Sequence, residues 1–537
     1  MDSVYRLERH FTRGIALVLG FAAIFIFVAA IPAAEVYVAP DGKPGADGSI
    51  EKPYDVFTVF SGNARVKPGD TVLLRGGQYD GLEVTKKRKE GGEYTDRSPF
   101  TPKLHGTEKE PIVVTSAPGE WAHLNGAVRI EGCDFTHFVR LEIGDLKWDP
   151  YQEKHKVPTA FNAVKGNKIK LINCNIFGGA MGTGLWRPAI DMEAYGNLVH
   201  DFGSMKREGG RGHGHAFYIQ NDVGTKTLEH NVAYRGCGWN YDIYTQQGEI
   251  KGFDILENIG FIPGWYKEGQ TSFNFGLTGW KPAERIRFIG NVGYQPRDMQ
   301  KWRSNMRLMF HYKKDVVHDQ AVVKNNYVMG AYRAMVVSRW RKLEITGNTF
   351  WATGFLMEVS SAPSGSGVAD NPPKPDLKCY AIDSNTYYGN GVKKPFVYST
   401  KEQYPEEDTF TFAEWQKLGL DTHSTMRPGR GGKPTGTKVF VYPNRYEKGR
   451  ANVAVFNWDG KERVEADLSG ALVQGQKYAV YNCLDIKQTI ERAKPVHGGV
   501  FDDRPIALRM RRNKDCPDFD TFLVLPLSPA DAGGPDR

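Results

Sequence analysis

The chain has 537 residues, of which 40% are hydrophobic and 25% charged, a balance that is ordinary for a folded protein and excludes a disordered chain. Its length allows two to four domains or one elongated repeat domain. The net charge of +8 permits an acidic partner, such as a polyuronate, a sulfated glycan or a nucleic acid, without requiring one.

The N-terminus has the pattern of an export signal. An apolar run that ends in small residues follows three arginines, Arg6, Arg9 and Arg13. This pattern predicts a signal peptide over residues 1–34 and a secreted or periplasmic protein, for which nucleic acid is a disfavoured partner. Because the apolar run is long and Pro32 disturbs the cleavage site, an uncleaved membrane anchor is the alternative, and only then would the chain have a membrane partner.

The first segments after the leader alternate short strands with turns rich in Gly and Pro. No long amphipathic helix interrupts them, which disfavours an α/β fold. Asp41 and Asp47 could bind calcium, but turn chemistry explains them better, so calcium is a candidate cofactor that the sequence does not require. The six cysteines include no CxxC pair and predict no structural zinc site, and Cys483 with Cys516 is the expected disulfide.

From residue 165 onward an asparagine recurs after each short run of strand residues. An imperfect repeat of this kind, with one asparagine per unit, with strands and without helices, is typical of a solenoid. It predicts a right-handed parallel β-helix over residues 35–400, with the asparagines in left-handed corners and stacked into a ladder. The predicted ladder contains Asn175, Asn231, Asn258, Asn291, Asn326, Asn348 and Asn385, and Asn197 fills the long gap after Asn175.

A second series of strands carries the polar residues. Strand alternation places its apolar members inside the coil: Phe217, Ile219, Ile243, Phe273, Phe275, Leu277, Leu308 and Phe310. The outward set is then Tyr218, Gln220, Asp242, Tyr244, Gln246, Asn274, Thr278, Arg307, His311, Lys313 and Glu358. Because coils stack about 4.8 Å apart, these side chains would line a groove long enough for a polymer. Arg211, His213 and His215 come from the preceding loop, although His215 has inward parity.

The C-terminal third changes character. Residues 401–436 are predicted to contain one short helix, begun by a capping box of Thr411 and Glu414, and a linker. Alternating strands over residues 437–527 predict an antiparallel β-sandwich, and residues 528–537 are expected to be a disordered tail.

Several of these segments resemble a known family. The start YVAPDG, the segment VKPGDTVLLRGGQY, the turn PIVVTSAPGE and the asparagine coils are similar to secreted right-handed parallel β-helix proteins of the pectate-lyase-like superfamily. That superfamily includes chondroitinase-B-like and alginate-lyase-like polysaccharide lyases. The resemblance covers residues 35–425 and implies an all-β, carbohydrate-active protein. The segments ANVAVFNWDG and DTFLVLP are similar to the β-sandwich that closes many glycan-active enzymes.

The outward residues supply the groups that such a lyase needs. A cation must neutralise the uronate carboxylate, a base must take the proton from the adjacent carbon, and an acid must protonate the leaving oxygen. We therefore predict β-elimination in an acidic polysaccharide, with Arg307 as the neutraliser, His311 or Lys313 as the base and Tyr244 as the acid. The predicted substrate-binding residues are Arg211, His213, His215, Tyr218, Gln220, Asp242, Gln246 and Asn274.

Two other functions are compatible with this pattern. A glycoside hydrolase needs two carboxylates across the scissile bond, but the outward acid nearest to Asp242 is Glu358, several coils away. A non-catalytic glycan-binding or cell-surface protein would use aromatic side chains such as Trp239 and Trp265 to stack on sugars. His213 and His215 could also hold a metal ion, but no third ligand is evident.

Overall fold

The computed structural model describes residues 33–87, 93–97, 99–151, 158–206, 212–245, 248–266, 273–296, 304–308, 316–361, 376–401, 406–511 and 513–527. The predicted tail and all but the last two residues of the predicted leader lie outside these ranges. The elements below belong to a single unit, Ala34–Arg537. Among the described residues, no helix is long and apolar enough to cross a membrane.

Three long sheets are wound from successive coils of the chain. Each coil contributes one short strand to each sheet, and strands from successive coils pair in parallel. Twelve strands of the described chain belong to each sheet. This arrangement confirms the predicted parallel β-helix, and β-branched and aromatic residues account for it because they fit a pleated, half-buried surface.

The strands of the three sheets follow the order of the coils. The first sheet contains Glu35–Val38, Thr71–Leu74, Ile112–Ser116, Thr136–Val139, Lys170–Ile172, Glu193–Tyr195, Lys226–Glu229, Ile250–Leu256, Ala283–Ile289, His318–Lys324, Trp340–Thr346 and Tyr380–Asp383. The second contains Gly77–Asp80, Ala122–Asn125, Glu142–Gly144, Asn175–Ile176, Leu198–His200, Val232–Tyr234, Ile259–Phe261, Val292–Gln295, Tyr327–Gly330, Thr349–Trp351, Thr386–Tyr388 and Thr425–Arg427. The third contains Val128–Asp134, Phe161–Asn167, Thr183–Leu185, Ala189–Ile190, His215–Ile219, Trp239–Thr245, Phe275–Gly279, Ser304–Leu308, Arg333–Val337, Phe355–Ser360, Phe396–Ser399 and the antiparallel Thr409–Phe410.

Apolar side chains stack inside the coil in rows that follow the strand register. In the third sheet, the rings of Phe217, Tyr241 and Phe275 are 5.0 and 4.9 Å apart between successive centroids. These three residues are fully or almost fully buried. The same holds for the next row, which contains Ile219, Ile243 and Leu277. Stacking of like side chains at the spacing of adjacent strands therefore builds the core.

The asparagine ladder is present and runs from Asn197 to Asn385. From Asn231 onward, each Oδ1 accepts bonds from the backbone N–H and the Nδ2 of the preceding member, as Asn258 does from Asn231 at 3.0 and 2.9 Å. Each Nδ2 also donates to a first-sheet carbonyl, for example from Asn258 to Leu228 at 2.9 Å. The members are all buried: Asn197, Asn231, Asn258, Asn291, Asn326, Asn348 and Asn385.

The left-handed corners were assigned to the wrong residue. The residue before each ladder asparagine has the positive φ, as in His230 (55°), Glu257 (51°) and Ser384 (56°). The asparagine itself stays free of that constraint and turns its amide into the ladder. The asparagine therefore contributes hydrogen bonds between coils, and its tolerance of the left-handed conformation is not used.

Asn175 is not a ladder residue, contrary to the prediction. In that coil Asn173 takes the corner with a φ of 56°, so Cys174 occupies the ladder position and donates its N–H to Asn197 at 2.9 Å. Asn175 is one residue too late and points out of the coil, where its Oδ1 lies 2.9 Å from Nε2 of His200.

The β-helix continues beyond residue 400, where a helix and linker were predicted to follow it. Thr425–Arg427 still pairs in parallel with Thr386–Tyr388. The predicted capping box is confirmed: Glu414 N donates to Thr411 Oγ1 at 3.2 Å, and Thr411 N donates to Glu414 Oε2 at 2.8 Å. It begins the helix Phe412–Lys417. The other short elements are the helix Val56–Phe60, the hairpin Glu83–Lys87 and Glu93–Arg97, and the 3₁₀ turns Leu377–Cys379, Glu406–Asp408 and Cys483–Asp485.

The C-terminal part consists of two antiparallel layers. The larger layer has the order Thr437–Pro443, Ala451–Asn457, Phe519–Pro526, Lys477–Asn482 and His497–Val500, and the smaller pairs Arg463–Ala466 with Ile506–Arg509. Their shared core includes Val453, Val464, Leu508 and Phe522. This arrangement agrees with the predicted β-sandwich.

The larger layer packs on the outward face of the second sheet. Phe519 lies 5.2 Å from Phe261 and 4.9 Å from Tyr294 between ring centroids. Further along, Tyr327 contacts Phe456 at 4.8 Å. These apolar contacts bury that face of the coil, so the outward residues of the third sheet lie on a different side.

All six cysteines are described, and no disulfide joins any of them. The expected bond between Cys483 and Cys516 is therefore wrong. Cys483 lies in a 3₁₀ turn, where its carbonyl accepts a bond from the Tyr234 hydroxyl at 2.7 Å. Burial raises the pKa of its thiol well above the usual value, so it behaves as a small apolar side chain.

Glu142 is a buried carboxyl where the second sheet meets the C-terminal domain. Its Oε1 accepts bonds from the backbone N–H of Ile490 and from Asn175 Nδ2, and its Oε2 is buried without a hydrogen-bond partner. Burial raises the pKa of Glu142 to about 8. The folded protein therefore holds the neutral acid at neutral pH, whereas the unfolded chain ionises it.

Glu142→Gln is expected to gain stability relative to the wild type as pH rises. The unfolded carboxyl releases its proton near pH 4.5 and the folded one near pH 8, so wild-type stability falls across this window. Glutamine does not titrate, and the difference in unfolding free energy should shift by roughly 5 kcal/mol in favour of the variant between pH 4.5 and pH 8. Urea unfolding at several pH values measures this shift. Glu131→Gln, at an exposed position, is the control. If the difference in unfolding free energy from the wild type were independent of pH for both variants, the raised pKa of Glu142 would be contradicted.

Candidate active site

Polar side chains of the third sheet form one in-register column on its outward face. Strand pairing aligns Tyr218 with Asp242, Asp242 with Gly276, and Gly276 with Arg307. Two strands beyond Arg307 the same column reaches Glu358. Adjacent strands are about 4.8 Å apart, so Asp242 and Arg307 are separated by roughly 10 Å along the coil axis. A hydroxyl, a carboxylate and a guanidinium thus share one face.

A row of rings runs beside this column and ends at Arg307. The ring centroids of His215 and Trp239 are 4.8 Å apart, and those of Trp239 and Phe273 are 5.5 Å apart. The guanidinium carbon of Arg307 lies 4.2 Å from the Phe273 centroid. A β-carbon at Gly276 would lie 2.1 Å from the Phe273 ring, so glycine in the column leaves the space that Phe273 occupies. Cation–π attraction then helps to orient Arg307.

His215 and Asp242 form a buried pair at the start of the site. His215 Nδ1 lies 3.1 Å from Asp242 Oδ2, and both side chains are buried. The ring of His213 is 5.4 Å from that of His215 and nearly perpendicular to it. A carboxylate beside one ring nitrogen favours the proton on that nitrogen and leaves the other as an acceptor.

Tyr218 connects this pair to the other side of the column. Its ring lies 5.0 Å from His215, 5.3 Å from Trp186 and 6.2 Å from Tyr244. Burial, with a smaller effect from the charge of Asp242, raises the pKa of Tyr218 well above its usual value. The hydroxyl therefore stays protonated and can act as a donor.

An ion pair lies further along the same face. Arg333 Nε is 3.1 Å from Glu358 Oε2, and both side chains are buried. The carboxylate of Glu358 is thus already matched by a cation within the protein. This pair stabilises the column's far end through charge pairing.

Six of the predicted site residues lie close together on one face: Tyr218, Gln220, Asp242, Tyr244, His213 and His215. Gln220 joins two of them, because its Nε2 donates to the Tyr218 hydroxyl at 3.3 Å and to the Tyr244 carbonyl at 3.1 Å. Arg307 follows on the same column. Arg211, Gln246, His311 and Lys313 lie outside the described residues.

Asn274 is placed elsewhere, so its assignment to substrate binding is corrected. It is fully buried in a second, shorter ladder, where its Oδ1 accepts from Asn240 at 2.8 Å and its Nδ2 donates to Asn305 at 2.8 Å. The repeated pair of an asparagine before an inward apolar residue could have identified it: Asn240-Tyr241, Asn274-Phe275 and Asn305-Met306.

This second ladder also explains why Phe273 and His215, to which alternation gave inward parity, face outward. Trp239 and Phe273 each precede a ladder asparagine, where the chain turns a corner and period two no longer holds. Phe273 therefore faces outward beneath Arg307, and His215, aligned with Trp239, faces Asp242. Three aromatic residues of the site were not predicted from the sequence to lie together: Trp186, Trp239 and Phe273.

The described residues do not fit a calcium site at this column. Nowhere in the described ranges do three or more His, Cys, Asp or Glu side chains converge on one point. The column itself offers Asp242, which is paired with His215, whereas Ca²⁺ takes six to eight oxygen ligands.

Comparison with known proteins gives one informative sequence match. No family model matches the chain. It is 30% identical over 133 residues to the pectate lyase PEL9 of Emericella nidulans, a match that covers 23% of this chain and 30% of that protein's length.

Two solved structures were also compared with the fold. The crystal structure of pectate lyase Pel9A gives a TM-score of 0.40 at 13% identity, covering 71% of this chain and 90% of that one. The complex of XylC with xylose gives 0.39 at 9% identity, covering 91% and 100%. At these scores neither likeness supports an argument, and the fold rests on the sheets described above. The three coiled parallel sheets show that this chain is a parallel β-helix protein, and over 133 residues it is similar to a pectate lyase.

Proposed function

We propose that this protein is a secreted polysaccharide lyase that cleaves an acidic polysaccharide by β-elimination at a uronate. The observation that carries the proposal is the in-register column of Tyr218, Asp242 and Arg307 on the outward face of the third sheet. The similarity to a protein named as a pectate lyase supports pectate as the first substrate to test.

Arg307 is the group proposed to neutralise the uronate carboxylate. Its guanidinium is held over Phe273, and Arg307 as a residue is only partly buried, so we propose that its charge meets a bound chain. Pairing with the substrate carboxylate lowers the cost of placing negative charge on the adjacent carbon as its proton leaves. The electron pair of the broken carbon–hydrogen bond then forms the new carbon–carbon double bond. The glycosidic carbon–oxygen bond breaks, and its electron pair leaves with the oxygen, which the acid protonates.

The base and the acid are assigned from the residues around Arg307. His311 and Lys313 remain the proposed bases, whereas His215, oriented by Asp242, lies three strands before Arg307, roughly 14 Å along the coil axis, and is proposed to bind a neighbouring part of the substrate. Tyr244 is the proposed acid for the leaving oxygen. Burial raises the pKa of Tyr218, so its phenol stays protonated 6.2 Å from the Tyr244 ring and can donate a hydrogen bond to the substrate.

Hydrolysis is less well supported by the same geometry. Asp242 and Glu358 lie four strands apart in the column, which corresponds to about 19 Å. Paired hydrolytic carboxylates lie roughly 5–10 Å apart. Glu358 is also bound to Arg333, so it is not available as a catalytic acid.

A substrate panel tests the proposed reaction. We expect the purified protein to release unsaturated uronate products from pectate, seen as new ultraviolet absorbance, and to leave a neutral glucan intact. Alginate and chondroitin sulfate are included to define the uronate, and each reaction is run with and without added calcium. New reducing ends without absorbance would establish a hydrolase instead, and retention on the polymer without cleavage would establish a binding protein.

A further inference from the structure

A cleft of about 500 Å³ lies where the coil meets the C-terminal domain. The coil contributes the carboxylate of Asp145, whose Oδ1 accepts a bond from the Lys147 N–H, and three partly buried aromatic side chains: Trp148, Trp265 and Tyr266. The C-terminal domain contributes Lys487, which is exposed, and Arg511. This volume is within the range of small-ligand sites.

The floor of the cleft is a neutralised ion pair. Arg235 Nε donates to Asp201 Oδ1 at 2.6 Å, and the same guanidinium donates to the carbonyls of Leu484 and Ile486 at 2.9 and 2.7 Å. Both charged side chains are more than nine-tenths buried. The C-terminal domain is therefore fixed against the coil at this point, and the floor presents little net charge.

The aromatic wall is held in place by hydrogen bonds. The Tyr266 hydroxyl donates to Asp201 at 2.8 Å, and Trp148 Nε1 donates to the carbonyl of Gly203 at 3.1 Å. The two rings meet edge to face with centroids 5.7 Å apart. Because these side chains are already ordered, binding of a ligand would cost little additional side-chain entropy.

The opposite wall carries positive charge. Arg511 is paired with Asp485, whereas Lys487 has no ion-pair partner among the described residues. Aromatic faces stack on the carbon–hydrogen faces of sugar rings, and an ammonium attracts a carboxylate. A short acidic oligosaccharide is the ligand class that matches both walls.

We propose that this cleft is a second glycan site, which binds a uronate-containing segment apart from the catalytic column. The choice of a uronate rests on the proposed function. The two sites flank one corner of the coil: Gly203, which anchors Trp148, precedes Ser204, whose backbone bonds to that of His213 at 2.7 and 2.8 Å. A polymer held in the cleft would thus be kept next to the column.

Calorimetric titration with tetragalacturonate tests the site without cleavage if Arg307→Ala is the parent protein. We expect the parent to bind, and Lys487→Gln or Trp148→Ala in that background to weaken binding by about tenfold, the effect of one lost charge or stacking contact. Lys494→Gln, a matched change of an exposed lysine in the same domain, should have no effect.

Three results would overturn the proposal. They are the absence of binding to the parent, equal affinity of the Lys487→Gln and Lys494→Gln variants, and equal binding of the neutral cellotetraose. Lys487→Gln changes an exposed side chain, so a folding defect does not confuse its result. Failure of the lyase proposal is separate, because it is seen as a lack of unsaturated product from the wild-type protein.

Discussion

Replacing Arg307 with alanine is expected to reduce kcat/KM on the cleaved polyuronate by about 10²- to 10³-fold, the cost of removing one preorganised group that stabilises developing negative charge. The loss should be in kcat as well as KM, because the charge to be matched grows in the transition state. Lysine at this position keeps the charge but not the planar stacking on Phe273, so Arg307→Lys should give an intermediate rate.

Arg287→Ala is the matched control for this experiment. Arg287 lies in the first sheet, where its half-exposed side chain is 3.3 Å from Asp254, away from the column. We expect it to retain wild-type kinetics. Full activity of Arg307→Ala, with an unchanged thermal midpoint, would remove Arg307 from the mechanism.

A substitution at Gly276 should reproduce part of the Arg307 effect without touching its charge. The alanine methyl would lie 2.1 Å from the Phe273 ring and would displace the surface on which Arg307 stacks. Gly132, whose added β-carbon meets nothing within 4 Å, supplies the control. A selective loss of activity in Gly276→Ala would show that the ring beneath Arg307 matters.

Asn258→Ala is expected to lower the free energy of unfolding by about 3–5 kcal/mol, because several buried polar groups lose their partners at about 1–3 kcal/mol each. The Asn231 amide and backbone N–H would lose Oδ1 of Asn258, and the Leu228 carbonyl would lose its Nδ2. Neighbouring coils stack directly on this position, so water cannot easily replace these bonds.

Urea unfolding followed by far-ultraviolet circular dichroism measures this loss. Asn63→Ala, an exposed asparagine in a loop before the second coil, is the control and should shift the midpoint very little. A midpoint for Asn258→Ala equal to that of Asn63→Ala would show that the ladder follows from the fold without stabilising it.

The ladder was predictable because its physical basis is periodic. One asparagine per coil, each after a short apolar run, marks a corner that repeats along the axis. The error at Asn175 arose because three adjacent residues, Asn173, Cys174 and Asn175, all suit the pattern, and only the backbone conformation identifies the corner. Such a one-residue shift cannot be resolved from spacing in a coil of variable length.

The column was predictable from strand alternation, but its surroundings were not. Alternation correctly put Tyr218, Asp242 and Arg307 on one face. It failed at His215 and Phe273, because a second corner lies just before each inward strand and interrupts the period. The pairing of His215 with Asp242, and of Arg333 with Glu358, depends on which coils are neighbours and on side-chain rotamers, neither of which spacing specifies.

The contacts of the C-terminal domain also bear on how this molecule unfolds. In an isolated solenoid each coil touches only its neighbours, so stability is a sum of local terms and the ends can open independently. Here one compact domain touches the coil of Glu142, through the Ile490 N–H, and the coil of Trp351, whose ring meets that of Trp458 edge to face with centroids 5.4 Å apart. Opening any one of these coils therefore disturbs a surface shared by all of them. The coils under the domain should open as one cooperative block, while those before Glu142 keep the graded, end-first behaviour of a simple repeat.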